Sequence, residues 1–183
     1  MSNPKEFILY SGGASGTESE FGVNAEKYGL QEVNYSFEGH QNARTRGLRV
    51  LTEKELESKD VSLTYVSKLM NRSFTRAPIF RKVLQSICWQ VNSGHEIFII
   101  GNILEDGTVK GGTGWGAEFA KICNKPLYVF SQDKGCWYSW EKENWVECPD
   151  PKISHRHFTA TGTRFLEDSG KKAIEKLFED SFK

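Results

Sequence analysis

Two stretches of this chain repeat one plan: an apolar run, a glycine-rich turn, then a helical pattern. The first is Glu6-Phe7-Ile8-Leu9-Tyr10, followed by Ser11-Gly12-Gly13-Ala14-Ser15-Gly16-Thr17 and a helix over 18–29. In that helix Phe21, Ala25 and Tyr28 recur at helical spacing, Glu18 and Glu20 fall in the first turn, and Gly29 supplies a C-terminal stop. A second strand is expected at about Glu32 to Phe37. The other stretch is Ile97-Phe98-Ile99-Ile100, then Lys110-Gly111-Gly112-Thr113-Gly114-Trp115-Gly116, opening a helix that runs to about Asn124. Units of this kind build parallel sheets covered by helices, with ligands gathering at the carboxyl ends of the strands.

The expected fold class is therefore α/β: a Rossmann-like, mostly parallel sheet flanked by helices. The glycines let backbone N–H groups approach a ligand closely. A helix N-terminus behind such a turn adds unpaired donors and a partial positive charge, which suits phosphate. Ser11, Gly12, Gly13 and Ala14 in the first turn, and Gly111, Gly112, Thr113 and Gly114 in the second, are thus candidate phosphate-binding residues. Glu118 lies about one helical turn further on and would bring a carboxylate to the same mouth. Neither turn carries the Gly-Lys-Ser/Thr of a P-loop or the full Gly-x-Gly-x-x-Gly fingerprint. Glu38 occupies the place of a ribose-binding acid, with a solvated loop glutamate as the other reading. A third strand–turn–helix unit is expected at the end of the chain: Arg156 to Thr161, Gly162-Thr163-Arg164, then an amphipathic helix over 166–182 with Ala173, Ile174, Leu177 and Phe178. Arg164 is either an anion contact or an ordinary residue of the capping region.

A chain of 183 residues suits a single domain, 1–183, large enough for a real core. Lys and Arg number 24 and Asp and Glu number 24, so net charge favours neither nucleic acid nor an anionic membrane. No apolar run approaches the roughly 18 residues of a membrane span. The start, Met1-Ser2-Asn3-Pro4-Lys5-Glu6, lacks the apolar core of a signal peptide. Cys88, Cys123, Cys136 and Cys148 show no C-x-x-C spacing and read as free thiols of a cytoplasmic protein. His155 and His157 would share a strand face, but without a third ligand nearby no metal site and no cofactor is expected.

The segment 40–82 is rich in cations: Arg44, Arg46, Arg49, Lys54, Lys59, Lys68, Arg72, Arg76, Arg81 and Lys82. A solvated face, phosphate recognition, and single-stranded nucleic acid stacked on residues such as Tyr65 and Phe74 all fit it. Zero net charge disfavours the last. Thr52 is expected to cap a helix with Glu53 and Glu55 in its first turn. A second helix is expected over 61–70. Pro78 should start a third, reaching about Asn92, with Gly94 near its end and Ile79, Val83, Leu84, Ile87 and Val91 as its apolar stripe. Lys125 to Phe130 reads as a buried strand, and 136–147 as a small β-hairpin turning near Lys142 to Asn144, its Trp137 and Trp140 covering core, with a base-stacking wall as the other reading.

The Ser11-Gly12-Gly13-Ala14 and Gly111-Gly112-Thr113-Gly114 to Glu118 units resemble the SLOG superfamily. This Rossmann-like group includes the LONELY GUY enzymes, molybdenum-cofactor carrier-like proteins and the DNA-processing DprA proteins. The tail from Phe158 to Ile174 is similar to stand-alone SLOG-like proteins of phages and microbes. The LONELY GUY pattern is Pro-Gly-Gly-x-Gly-Thr-x-x-Glu. Gly111, Gly112, Gly114 and Glu118 match it in register, while Lys110 and Trp115 replace the proline and threonine. The resemblance implies a nucleotide or nucleotide-derived ligand held on the glycine turns, as in a sensor, carrier or sequestering protein. It also implies an alternative, hydrolysis of the N-glycosidic bond of a nucleoside 5′-monophosphate. There Glu118 would stabilise the oxocarbenium-like ribose or activate water, and Arg81, in Phe80-Arg81-Lys82, would position phosphate or ribose. Single-stranded nucleic-acid binding as in the DprA proteins is the third implication. A homodimer is expected by the same analogy.

Overall fold

The computed structural model describes residues 3–74 and 77–183; Met1, Ser2, Thr75 and Arg76 lie outside the described residues. Among the described residues, eight strands form one sheet: β1 (Ile8–Ser11), β2 (Gln31–Ser36), β3 (Leu48–Val50), β4 (Glu96–Gly101), β5 (Leu127–Ser131), β6 (Cys136–Glu141), β7 (Asn144–Glu147) and β8 (His157–Gly162). Their order is β3-β2-β1-β8-β4-β5-β6-β7. Every pairing from β3 across to β5 is parallel, and the β6–β7 hairpin continues the sheet antiparallel. The helices are α1 (Thr17–Tyr28), α2 (Glu53–Glu57), α3 (Asp60–Met70), α4 (Pro78–Ser93), α5 (Thr113–Ile122) and α6 (Asp168–Phe182). This is the Rossmann-like α/β architecture. No helix among the described residues is long and apolar enough to cross a membrane.

β4 shows why the sheet is covered on both faces. Ile97, Phe98, Ile99 and Ile100 are all fully buried, as expected for a central parallel strand. Alternation sends Ile97 and Ile99 to one core, with Leu84, Val91 and Trp115, and Phe98 and Ile100 to the other, with Phe21, Ile174 and Phe178. Each large side chain so buried contributes about 1.5–3 kcal/mol.

Several helix ends follow the local rules. Gly29 adopts the left-handed conformation beyond α1 and donates to the Ala25 and Glu26 carbonyls. Thr52 and Glu55 make the reciprocal capping box of α2. Pro78 opens α4 and Gly94 closes it. α5 stops at Ile122, a little short of the expected Asn124. Ile79 leaves the expected apolar stripe of α4: it is 53% exposed, while Leu84 and Val91 are fully buried. β3 is an element the sequence pattern does not announce.

β8, the last strand, inserts between β1 and β4. From β1 the chain proceeds through α1 to β2 on one side, and from β4 through α5 to β5 on the other. The carboxyl ends of β1, β8 and β4 therefore flank a topological switch point, where a crevice opens.

Much of the cationic middle segment is paired within the fold. Arg44 lies across α1 at Gly22, where an added Cβ would meet its Nε at 2.2 Å. It reaches Glu32 at 2.6 Å and Glu26 at 2.7 Å, and Arg46 reaches the same Glu32 carboxylate at 2.5 Å. Arg49 pairs with Glu55, Arg81 with Asp60 and Lys82 with Glu53. Arg44→Met leaves buried Glu32 one guanidinium instead of two. It is expected to destabilise by about 2 kcal/mol, less than complete loss of a buried pair's partner, as read from the urea midpoint of unfolding.

Candidate functional site

The first glycine turn is held by its own chain. Ser11 is buried, and its Oγ donates to the Ala160 carbonyl at 2.7 Å, tying β1 to β8. The Gly12 carbonyl accepts from Asn42 Nδ2 at 2.8 Å, and the Gly13 carbonyl from the Ala43 and Arg44 amides at 2.8 and 3.0 Å. Gly13 sits at φ +66°, and a Cβ there would meet the Arg44 carbonyl at 2.4 Å. At the start of α1 the Thr17 amide donates to the Thr163 carbonyl at 3.1 Å. The Ala14 amide donates to Glu18 Oε2 at 2.9 Å. A carboxylate of the chain thus already takes a donor that the sequence reading offers to phosphate.

Glu18 is buried, 6% exposed. Thr161 Oγ1 donates to its Oε1 at 2.7 Å, and the Gln90 side-chain amide bonds it as well. Burial pushes its carboxyl above the ordinary carboxylate range, against the opposing pull of the Ala14 amide, Thr161, the Arg164 charge and Gln90. Gly12 makes room for this pair: a Cβ there would meet Gln90 Nε2 at 2.6 Å and Glu18 Oε2 at 2.8 Å.

The second glycine turn is more open. α5 starts without a side-chain cap; its Gly114 and Trp115 amides donate to the Gly111 and Gly112 carbonyls at 3.2 and 3.1 Å, which leaves the amides of Gly112 and Thr113 ahead of them for other partners. Gly111 has φ +71° with open space around it, and Gly112 faces the Phe80 ring. Gly114 has a packing role. A Cβ there would meet the Val109 carbonyl at 2.0 Å and Arg72 Nη1 at 2.8 Å. Arg72 ties this segment together by donating to the Val109 and Gly111 carbonyls and to Thr108 Oγ1. Trp115 is core, edge-on to Phe74 at 5.7 Å.

Both turns meet in one cavity of about 710 Å³. Ala14 and Glu18 line it from the first unit, Gly111, Gly112 and Thr113 from the second, and Thr161 to Phe165 from the third. α4 contributes Phe80, Val83, Ser86, Ile87 and Gln90. Arg164 is exposed at the wall, and neither it nor Lys110 forms an ion pair with a carboxylate among the described residues. Phe165, 85% exposed, and Phe80, 37% exposed, are aromatic faces on the same lining. His40 lines it too; burial, with Arg164 nearby, pushes its pKa down. A second cavity of about 560 Å³ shares Ala14, His40 and Arg164 and extends over Asn42 and Ala43.

The residues expected to carry chemistry lie elsewhere. Glu118 is not part of the cavity lining. It pairs with Lys121 at 3.2 Å, and that ammonium sits 3.8 Å from the centre of the Trp140 ring. Arg81 is likewise outside the lining, bound to Asp60 at 2.6 Å. Glu38 is exposed and absent from the lining. The buried carboxyl group in the cavity is Glu18, which the sequence shows only as an acid in a first helical turn; Glu167 lines the cavity too, but is exposed. Gln90 was also missed. Ser86 and Gln90, spaced four apart between apolar positions of one helix, were the available signal. Among the described residues no group of His, Cys, Asp or Glu is arranged to hold a metal ion, although His157 lies beside His95 with ring centres 5.5 Å apart. No protein-family model, curated protein or solved structure compared with this chain matches it.

Proposed function

We propose that the protein binds a nucleotide or nucleotide-derived small molecule in the cavity at the carboxyl ends of β1, β8 and β4. The observation that carries this reading is the meeting of three features in one cavity. These are the uncapped start of α5 at Gly111-Gly112-Thr113, the cations Arg164 and Lys110, and the aromatic faces of Phe80 and Phe165. An anion suits the first two and a planar base the third. The phosphate belongs at the second turn rather than the first, because Glu18 occupies the Ala14 amide. The polar end at Glu18 and Gln90 then faces the part of the ligand between phosphate and base. The four cysteines stand as free thiols, which supports a reducing, cytoplasmic setting.

A second reading, cleavage of the N-glycosidic bond of such a nucleotide, is favoured by one observation only, a buried carboxyl group in the cavity wall. In that case Glu18 takes the role that the resemblance gives to Glu118. Incubating the protein with nucleoside monophosphates, NAD and ADP-ribose, and comparing the whole mixture with its ultrafiltrate by chromatography, separates the two. Depletion of one compound without product supports binding; release of free base supports cleavage; neither, with no shift in melting temperature at millimolar ligand, removes both. Arg164→Ala is expected to weaken binding about tenfold, as for loss of one charge-assisted hydrogen bond. Unchanged affinity by calorimetry would place the phosphate away from Arg164.

A further inference from the structure

Gln90 is 1% exposed and lines the cavity, yet its Oε1 has no hydrogen-bond partner among the described residues. Its amide nitrogen lies on the Glu18 side: a Cβ on Gly12 would stand 2.6 Å from Gln90 Nε2 and 2.8 Å from Glu18 Oε2. One turn earlier on α4, Ser86 also lines the cavity, and its hydroxyl donates to the Val83 carbonyl at 2.7 Å. That leaves the Ser86 oxygen free to accept. Two acceptors, four residues apart on one helix face, therefore belong to residues that line the cavity, where α4 otherwise contributes apolar side chains such as Val83 and Ile87. A buried acceptor with no donor is costly to leave so. What completes this wall is a neutral group with two adjacent donors. An ammonium group fits badly, because Glu18, the buried carboxyl group of the lining, already takes donors from Ala14 and Thr161 and lies in the field of Arg164, while Glu167, the other carboxyl group of the lining, is exposed.

We propose that Gln90 Oε1 and Ser86 Oγ form a hydroxyl-reading subsite that takes the 2′,3′-diol of a ribose, so that the cavity selects ribonucleotides over their deoxy counterparts. The inference rests on the nucleotide reading above and adds to it which sugar is accepted. Glu18 acts here as a positioning group, holding the Gln90 amide by its nitrogen so that the oxygen faces the sugar.

The test is calorimetric titration of the wild-type protein with the four ribonucleoside 5′-monophosphates and with their 2′,3′-dideoxy counterparts. The ribonucleotide that binds best should lose about tenfold or more in affinity when both hydroxyls are removed. Gln90→Met, of similar shape but without the acceptor, should bring the ribonucleotide down toward the dideoxy level and largely erase the preference. Its melting temperature and circular dichroism report whether it folds. If it does not, the wild-type comparison decides alone. Equal binding of the two series overturns the diol subsite and leaves nucleotide binding standing. No binding by either series overturns the diol subsite, and the nucleotide reading falls with it if NAD and ADP-ribose fail to bind as well. A full ribose preference retained by folded Gln90→Met removes Gln90 from the subsite and overturns the assignment.

Discussion

Gly114→Ala is expected to lower the melting temperature by about 6–12 °C, from a loss of about 3 kcal/mol, and to weaken nucleotide binding with it. The added methyl would stand 2.0 Å from the Val109 carbonyl oxygen, a backbone atom that cannot rotate away. Val109 is held on its far side: it bridges Ile103, and its carbonyl accepts from Arg72. Relief therefore requires the whole 102–111 segment to move, and with it Gly111 and Gly112 on the cavity wall. Gly111→Ala is the contrast. Gly111 needs φ +71° but has open space around it, so the cost is the backbone term alone, about 1–2 kcal/mol. Thermal melts of the two variants side by side check the argument. If Gly114→Ala melts as the wild type does, or if Gly111→Ala is the worse of the two, close packing at Gly114 is not what fixes the turn.

The scaffold was legible where local chemistry decides it. Gly29, the Thr52–Glu55 capping box, Pro78 and the apolar run of β4 each declare their element through a rule that acts within a few residues. The order of the sheet was not legible, because nothing local in His157–Gly162 states that it inserts between β1 and β4. β3 escaped because its three residues, Leu48, Arg49 and Val50, are all exposed on the outermost strand, so there is no buried alternation to read. At the site, the glycine turns were readable as turns, but the direction of side chains was not. In α5, Gly116 faces α4 and β8, its position for a Cβ lying 2.9 Å from Ile87. Two residues on, at about 100° per residue, Glu118 projects toward the hairpin and Lys121. On α4, Phe80 reaches the cavity, while Arg81, one residue later, turns to Asp60 on α3. Matching a motif by register alone cannot register this rotation. Glu18 was readable only as a favourable first-turn acid, because its partners Gln90 and Thr161 lie far along the chain and meet it only when β8 and α4 close over α1.

Glu18→Gln is expected to gain stability relative to the wild-type protein as pH rises. In the unfolded chain the carboxyl titrates near its ordinary value of 4.5, whereas burial raises it in the folded protein. Below pH 4.5 both states hold the proton, and the contribution of Glu18 to stability is at its greatest. As pH rises above that value the unfolded chain releases the proton while the folded protein keeps it. The folded state then binds more protons, and stability falls with pH until the raised folded value is passed. The slope in that window approaches about 1.4 kcal/mol per pH unit, equivalent to about 3–5 °C in melting temperature for a domain of this size. The variant lacks the titrating group, so the wild-type minus variant difference cancels other carboxylates such as Glu26, Glu55 and Asp106, which are held below their ordinary value and act with the opposite sign. Melts of both proteins from pH 4 to 8 measure it. A flat difference, or a wild type that gains on the variant as pH rises, would show that burial does not dominate at Glu18. The same proton bears on function. A neutral carboxyl beside Ala14 leaves the field of Arg164 to an incoming phosphate, whereas an ionised one competes for it. Wild-type affinity for a nucleoside monophosphate should therefore weaken across the pH window in which the melting difference falls.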